Sequence, residues 1–131
     1  MSKFIHDDAV DAKLQYIIDN CDGIYVCTSD VMTTGAPDWT KITSTNNLIS
    51  MHAMLSGDFS ITDGDVSGRK LVVAEQADLA ITADGTAESI VLVDSGTTKV
   101  LAITECPAEA LLNGNLVTIT TFDIEDEDPQ P

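Results

Sequence analysis

The sequence predicts a mainly β fold, an antiparallel β-sandwich or barrel-like sheet with one N-terminal amphipathic α-helix. Three observations lead there. Residues 58–94 read DFSITDGDVSGRKLVVAEQADLAITADGTAESIVLVD, a series of short apolar, often β-branched runs separated by Gly and Asp. Bounded runs of that length are strands. Val10, Leu14, Ile17, Ile18 and Cys21 recur at i, i+4, i+7, i+8 and i+11, the single apolar stripe of a helix. Ser95-Gly96-Thr97-Thr98 separates two apolar runs as a hairpin turn does.

In chain order, Asp7 or Asp8 is placed to cap the helix, and Gly23 suits a left-handed exit from it. Residues 24–28, Ile-Tyr-Val-Cys-Thr, have strand composition. Residues 29–41 lose all periodicity and read as a loop. Residues 42–55 fit a strand or a helix, with a strand at about 47–54 preferred. Phe59 and Ile61 alternate with polar residues, and residues 63–68, Asp-Gly-Asp-Val-Ser-Gly, break the run. Residues 71–73, the run through Leu79 and Ile81, and residues 90–93 follow as strands. After the hairpin, residues 100–104 pair back. Pro107 is expected to end that strand, because it cannot donate to a ladder. Residues 108–112 read as a helical turn and 113–115 as a turn. Residues 116–122 read as the last strand. The boundaries are therefore one β-rich domain over 1–122 and an acidic tail over 123–131. The expected core is Val10, Leu14, Ile17, Ile18, Val26, Leu71, Val73, Ile81, Val91, Val93, Leu101, Ile103, Val117 and Ile119.

A chain of 131 residues with 44% hydrophobic content and a mean hydropathy of +0.10 has the size and composition of one folded domain. Its charge is lopsided. Six basic residues face 22 acids, 16 of them Asp, for a net charge of −16. A field of that sign repels phosphate backbones and anionic lipid, so neither nucleic acid nor membrane is an expected partner. Residues 1–8 contain no apolar signal core, and no run approaches a membrane span.

The inventory for chemistry is short. His6 and His52 are the two histidines, without a motif around either. The three cysteines, Cys21, Cys27 and Cys106, make no CxxC pair and no Cys/His cluster. Neither catalytic residues nor a metal site nor a cofactor is expected. Asp63-Gly64-Asp65 resembles a calcium loop in spacing, but lacks the later Glu and serves a turn equally well. Arg69 is expected to pair with Asp63 or Asp65. Trp39, in the loop, is either a plug at the edge of the core or an interface anchor.

Residues 64–73 (GDVSGRKLVV), residues 83–94 (ADGTAESIVLVD) and the FDIE run of Phe122 to Glu125 resemble small virion proteins of tailed bacteriophages. The resemblance implies a structural part of the particle. The first expectation is a capsid decoration (cement) protein on the outside of the virion, bridging subunits of the major capsid protein. It would associate with itself, as a homotrimer, and assemble in the host bacterial cytoplasm. The alternative is a tail, neck or fibre-associated protein, in one form a receptor- or glycan-binding module. Few aromatic residues are present to line a glycan groove. An acidic enzyme is the third reading. Interface residues on the first reading are Trp39, Val31, Met32, Phe4, Phe122 and Ile124.

Overall fold

The computed structural model describes residues 6–65 and 68–126. The expected class holds, with antiparallel sheets and one N-terminal helix. The chain groups into two compact units. One takes the chain up to Asn20, Leu55–Gln76 and the chain from Ile119. The other takes Cys21–Met54 and Ala77–Thr118.

In the first unit, helix α1 spans Asp7–Asn20. Its cap is His6 and not an aspartate. The Asp8 N–H donates to His6 Nδ1 at 3.1 Å, and the Ala9 and Val10 N–H groups donate to the His6 carbonyl. Asp7 and Asp8 lie inside the first turn, where they favour the positive end of the helix dipole. Val10 and Leu14 are buried, while Ile17 and Ile18 are half-buried.

Helix α1 packs against β5 (Phe59–Asp63) and β6 (Arg69–Val73). Strand β6 lies between β5 and β11 (Phe122–Asp126). Leu71 stands opposite Ile61 and Ile124, and Val73 opposite Phe59 and Phe122. The segment read from sequence as a tail therefore begins with a strand. Phe122 and Ile124 alternate with acids at the period of two that a half-buried strand requires, and the acid content obscured it.

In the second unit the main sheet has the order β4-β1-β8-β9. These strands are β1 (Gly23–Cys27), β4 (Leu48–Ala53), β8 (Gly85–Asp94) and β9 (Lys99–Leu111). A two-residue hairpin, β2 (Met32–Thr33) with β3 (Ala36–Pro37), turns through Thr34 and Gly35 at φ of 50° and 81°. A single helical turn, α2 (Trp39–Ile42), follows. The Asp38 carboxylate accepts from the Thr40 and Lys41 N–H groups and so caps it. The stretch expected to be loop is thus partly built. Strand β7 (Gln76–Ala80) pairs with β10 (Leu116–Ile119).

Four further expectations change. Strand β9 does not stop at Pro107 but runs on to Leu111, so residues 108–111 extend rather than coil. Ala87 pairs with Glu109 and Ser89 with Glu105, leaving Cys106, Pro107 and Ala108 opposite Glu88 alone. At such a bulge, on an edge strand, proline's missing N–H costs nothing. The last strand breaks at Thr120 and Thr121 into β10 and β11. Gly23 is extended and not left-handed. Its role is close approach, since a Cβ there would lie 3.1 Å from Tyr25 Cε1 and 3.2 Å from Val93 Cγ2. Of the expected core, Leu101, Ile103 and Val117 are only half-buried, like Ile17 and Ile18. Leu101 is the unpaired residue of a second bulge, since Leu92 pairs with Ala102 and Val93 with Val100.

Two expected outcomes follow for denaturant unfolding. Leu14→Ala costs about 2–5 kcal/mol, and Ile18→Ala clearly less, because less of that side chain leaves water on folding. Gly23→Ala costs about 1–3 kcal/mol through overpacking against Tyr25 and Val93. Gly57→Ala, with nothing within 4 Å of the added methyl, is the neutral control.

Candidate functional site

The two edges of the four-stranded sheet are treated differently. At the β4 edge, the Thr82 N–H donates to the Ile49 carbonyl at 2.9 Å, and Ser50 Oγ donates to the Ala80 carbonyl at 2.6 Å. That edge is met by its own chain at Ile49 and Ser50. Strand β9 ends the sheet on the other side, and among the described residues its only backbone ladder is with β8.

A groove of about 540 Å³ lies along β9. Val100, Leu101, Ala102 and Ile103 all line it. Successive side chains on a strand point to opposite faces. The bulge at Leu101 breaks that alternation, so Val100 and Ile103 share one face, against the cluster of Val31, Val91 and Val93, and the groove lies over that face of β8 and β9. Val31, Met32 and Pro37 line it from the β2–β3 side, and Glu88, Glu105 and Cys106 from the far part of β9 and its partner strand. Lys41 Nζ, at 2.9 Å from both Asp30 Oδ1 and the Met32 carbonyl, ties that hairpin to α2.

The interface residues expected from sequence separate. Val31 and Met32 line the groove, but Val31 is buried and only Met32 is exposed. Trp39 is half-buried against the cluster of Tyr25, Cys27, Val31, Ile42, Val91 and Val93. Its ring centroid is 6.2 Å from that of Tyr25, at 45°. That is the position of a plug at the edge of the core. Phe122 and Ile124 belong to β11 in the other unit, and Phe4 lies outside the described residues. Of the residues 100–103, Leu101 and Ile103 were read as core. Pro107 carried the missing signal, since a proline within a strand confines it to an edge or a bulge.

Arg69 and Lys70, like Lys41, are engaged by acids. Arg69 Nε lies 2.8 Å from Asp11 Oδ1 and its Nη1 2.6 Å from Asp63 Oδ1, which ties α1 to the β5–β6 turn. Lys70 Nζ lies 2.7 Å from Asp65 Oδ1 and 3.4 Å from Asp123 Oδ2. The pairing expected of Arg69 is found with Asp63, while Asp65 goes to Lys70. These side-chain hydrogen bonds hold both basic groups above their ordinary pKa values. The turn's two acids thus serve internal ion pairs, and among the described residues no cluster of three metal-ligating side chains forms.

Each thiol is pushed away from reactivity. Burial raises Cys27 to about 12 and also raises Cys21. Cys106 is raised by burial first, then by Glu109 and Glu88. Asp22 moves the other way, because Ser95 Oγ and N–H donate to its carboxylate at 2.6 and 2.9 Å and lower its pKa. That contact locks the β8–β9 turn to the start of β1.

No family model, curated protein or solved structure matches this chain. Among the described residues, no helix is long and apolar enough to cross a membrane.

Thiolate is the reacting form of cysteine, so its fraction governs alkylation. Native protein is expected to react slowly with iodoacetamide at neutral pH, at Cys106 first. The rate should climb only as pH rises past the ordinary thiol range, while Cys27 stays protected until unfolding. Mass mapping of the alkylated sites checks this order.

Proposed function

We propose that this protein is a structural component of a tailed-phage particle, a decoration protein that binds the outside of the capsid and bridges its subunits. One observation carries the reading. A net charge of −16 sits on a small β scaffold whose cations Lys41, Arg69 and Lys70 are engaged internally, so the field it presents outward is acidic. Such a field attracts a basic partner and hastens docking, without any bond-making step. The bacteriophage resemblance of the β5–β6 turn and of β8 gives that partner a class, a capsid surface with exposed Lys and Arg. The groove along β9 adds an apolar contact site to the same scaffold.

Trp39 has no direct part in the contact on this reading. It supports the floor under Val31 and Ile42, so Trp39→Ala acts through fold stability.

The test uses undecorated capsid shells and sedimentation of bound protein. Wild type is expected to cosediment at low salt and to release progressively as salt is raised, because screening shortens the range of the acidic field. Copy number in purified particles gives the second measurement. Hundreds of copies fit decoration. Failure to bind shells at low salt, or recovery only with isolated tails, overturns the reading in favour of a tail or neck part.

A further inference from the structure

We propose that the groove over β8 and β9 takes an extended segment of a partner protein, with apolar side chains at one end and Lys or Arg at the other. On the decoration reading that segment belongs to the capsid protein, and to that extent the inference rests on it.

The groove has two chemically different ends. Along β8, Ser89, Val91 and Val93 are spaced by two and share one face. Opposite them on β9 stand Glu105, Ile103 and Val100. Val100 and Ile103 are half-buried against Val91 and Val93, and Val31 and Met32 complete an apolar end. The other end is polar. Ser89 is 4% exposed and lines the groove, and its hydroxyl makes no hydrogen bond among the described residues. Glu88 and Glu105 line the same end, and neither forms an ion pair among the described residues. Cys106 lies with them, its pKa raised by burial and then by Glu109 and Glu88. Lys41 is held by Asp30 and the Met32 carbonyl, and Lys99 stands opposite Asp94 beyond the apolar end.

This arrangement selects the occupant. A wholly apolar guest would strip water from two carboxylates and a hydroxyl and give no hydrogen bond in exchange. A guest bearing carboxylates, a second copy of charge −16 included, is repelled. A Lys or Arg side chain answers both needs. Its apolar stem lies along Ile103 while its head donates to Glu88, Glu105 and Ser89 Oγ. The cleft of about 540 Å³ is open at its rim, where Met32 and Pro37 are exposed. Small ligands are mostly enclosed by their sites, so an open cleft of this volume suits a chain lying across it. Between its two bulges, over residues 102–105, the outer edge of β9 has no backbone partner among the described residues. It offers main-chain hydrogen bonds to an extended guest, whose every second side chain then faces the groove.

Fluorescence anisotropy with a labelled peptide tests this without capsids. The probe is Leu-Ser-Leu-Ser-Arg-Ser-Arg with blocked termini, which puts both leucines and both arginines on one face. Wild type is expected to bind it at least about tenfold more tightly than Ser-Ser-Ser-Ser-Arg-Ser-Arg or Leu-Ser-Leu-Ser-Glu-Ser-Glu. Glu88→Gln with Glu105→Gln is expected to weaken binding at least about tenfold. Glu75→Gln with Asp78→Asn, at exposed positions outside the groove, removes the same net charge and is expected to change affinity less than about threefold. Near-ultraviolet circular dichroism checks that each variant is folded. No binding of the probe at low salt overturns the proposal. Equal binding of the serine-rich peptide, or equal losses in the two variants, reduces the contact to the bulk acidic field and also overturns it. Sedimentation velocity covers the remaining occupant. A wild-type oligomer that Met32→Ser with Leu101→Ser dissolves would give the groove to a second copy and overturn the proposal. Shell binding separates this inference from the reading it rests on. Wild type that binds shells but not the probe loses the groove and keeps decoration, and wild type that binds the probe but not shells keeps the groove and loses the capsid as its partner.

Discussion

Val91, Leu92 and Val93 are consecutive in β8, and all three are buried. Neighbouring strand residues point to opposite faces, so β8 is covered on both sides at this point. The same holds along all of β1. This two-sided burial is the constraint on which the larger unit depends. It leaves no solvent face onto which a register slip could turn its apolar side chains. It also explains Gly23. Between Val93 on β8 and Tyr25 on its own strand, Gly23 has no room for a methyl group. The lateral strands β4 and β9 carry the exposed Met51 and the half-buried Ile103.

Much of the fold was legible because its signals are local. The period of α1, the hairpin turn at residues 95–98 and the apolar runs of β1, β6 and β8 need no long-range information. The errors share a cause. Pro107 and the acids of residues 123–126 are residues that usually end structure, and both lie inside strands. Each is admitted by a tertiary circumstance. A bulge relieves Pro107 of a ladder bond, and β6 offers a partner edge to residues 122–126. Propensity does not know which edge is vacant. The groove was less legible still. Val31 and Met32 were singled out for being apolar in a loop, but the opposite wall was assigned to the core. Whether residues 100–103 are interior or edge is decided by strand order, which no window of sequence contains.

Electrostatics divides the charged residues into two populations. Asp11, Asp63, Asp65 and Asp123 gather Arg69 and Lys70 into a network that fastens a helix and three strands. Individually such exposed pairs contribute little, and salt weakens them. Their value lies in register, since Arg69 and Lys70 have adjacent positions on β6 and fix which residues of β5, β11 and α1 lie alongside. Other acids accept local hydrogen bonds, Asp38 at the start of α2 and Asp22 at the β8–β9 turn, without a cation, so the net charge faces outward.

The smaller unit is assembled from three separated stretches of chain, whereas the larger one comes from two interior stretches. During synthesis this has a consequence in time. Residues of α1, β5 and β6 emerge early, yet β6 lacks its second neighbour until residues 122–126 have left the ribosome. The main sheet of the larger unit has all four strands once Leu111 is out. Domains fold as their residues become available, so the four-stranded sheet is complete while one side of β6 still stands open. For that interval β6 is an unpaired strand edge on a nascent chain, and the speed with which the last residues follow sets how long it stays so.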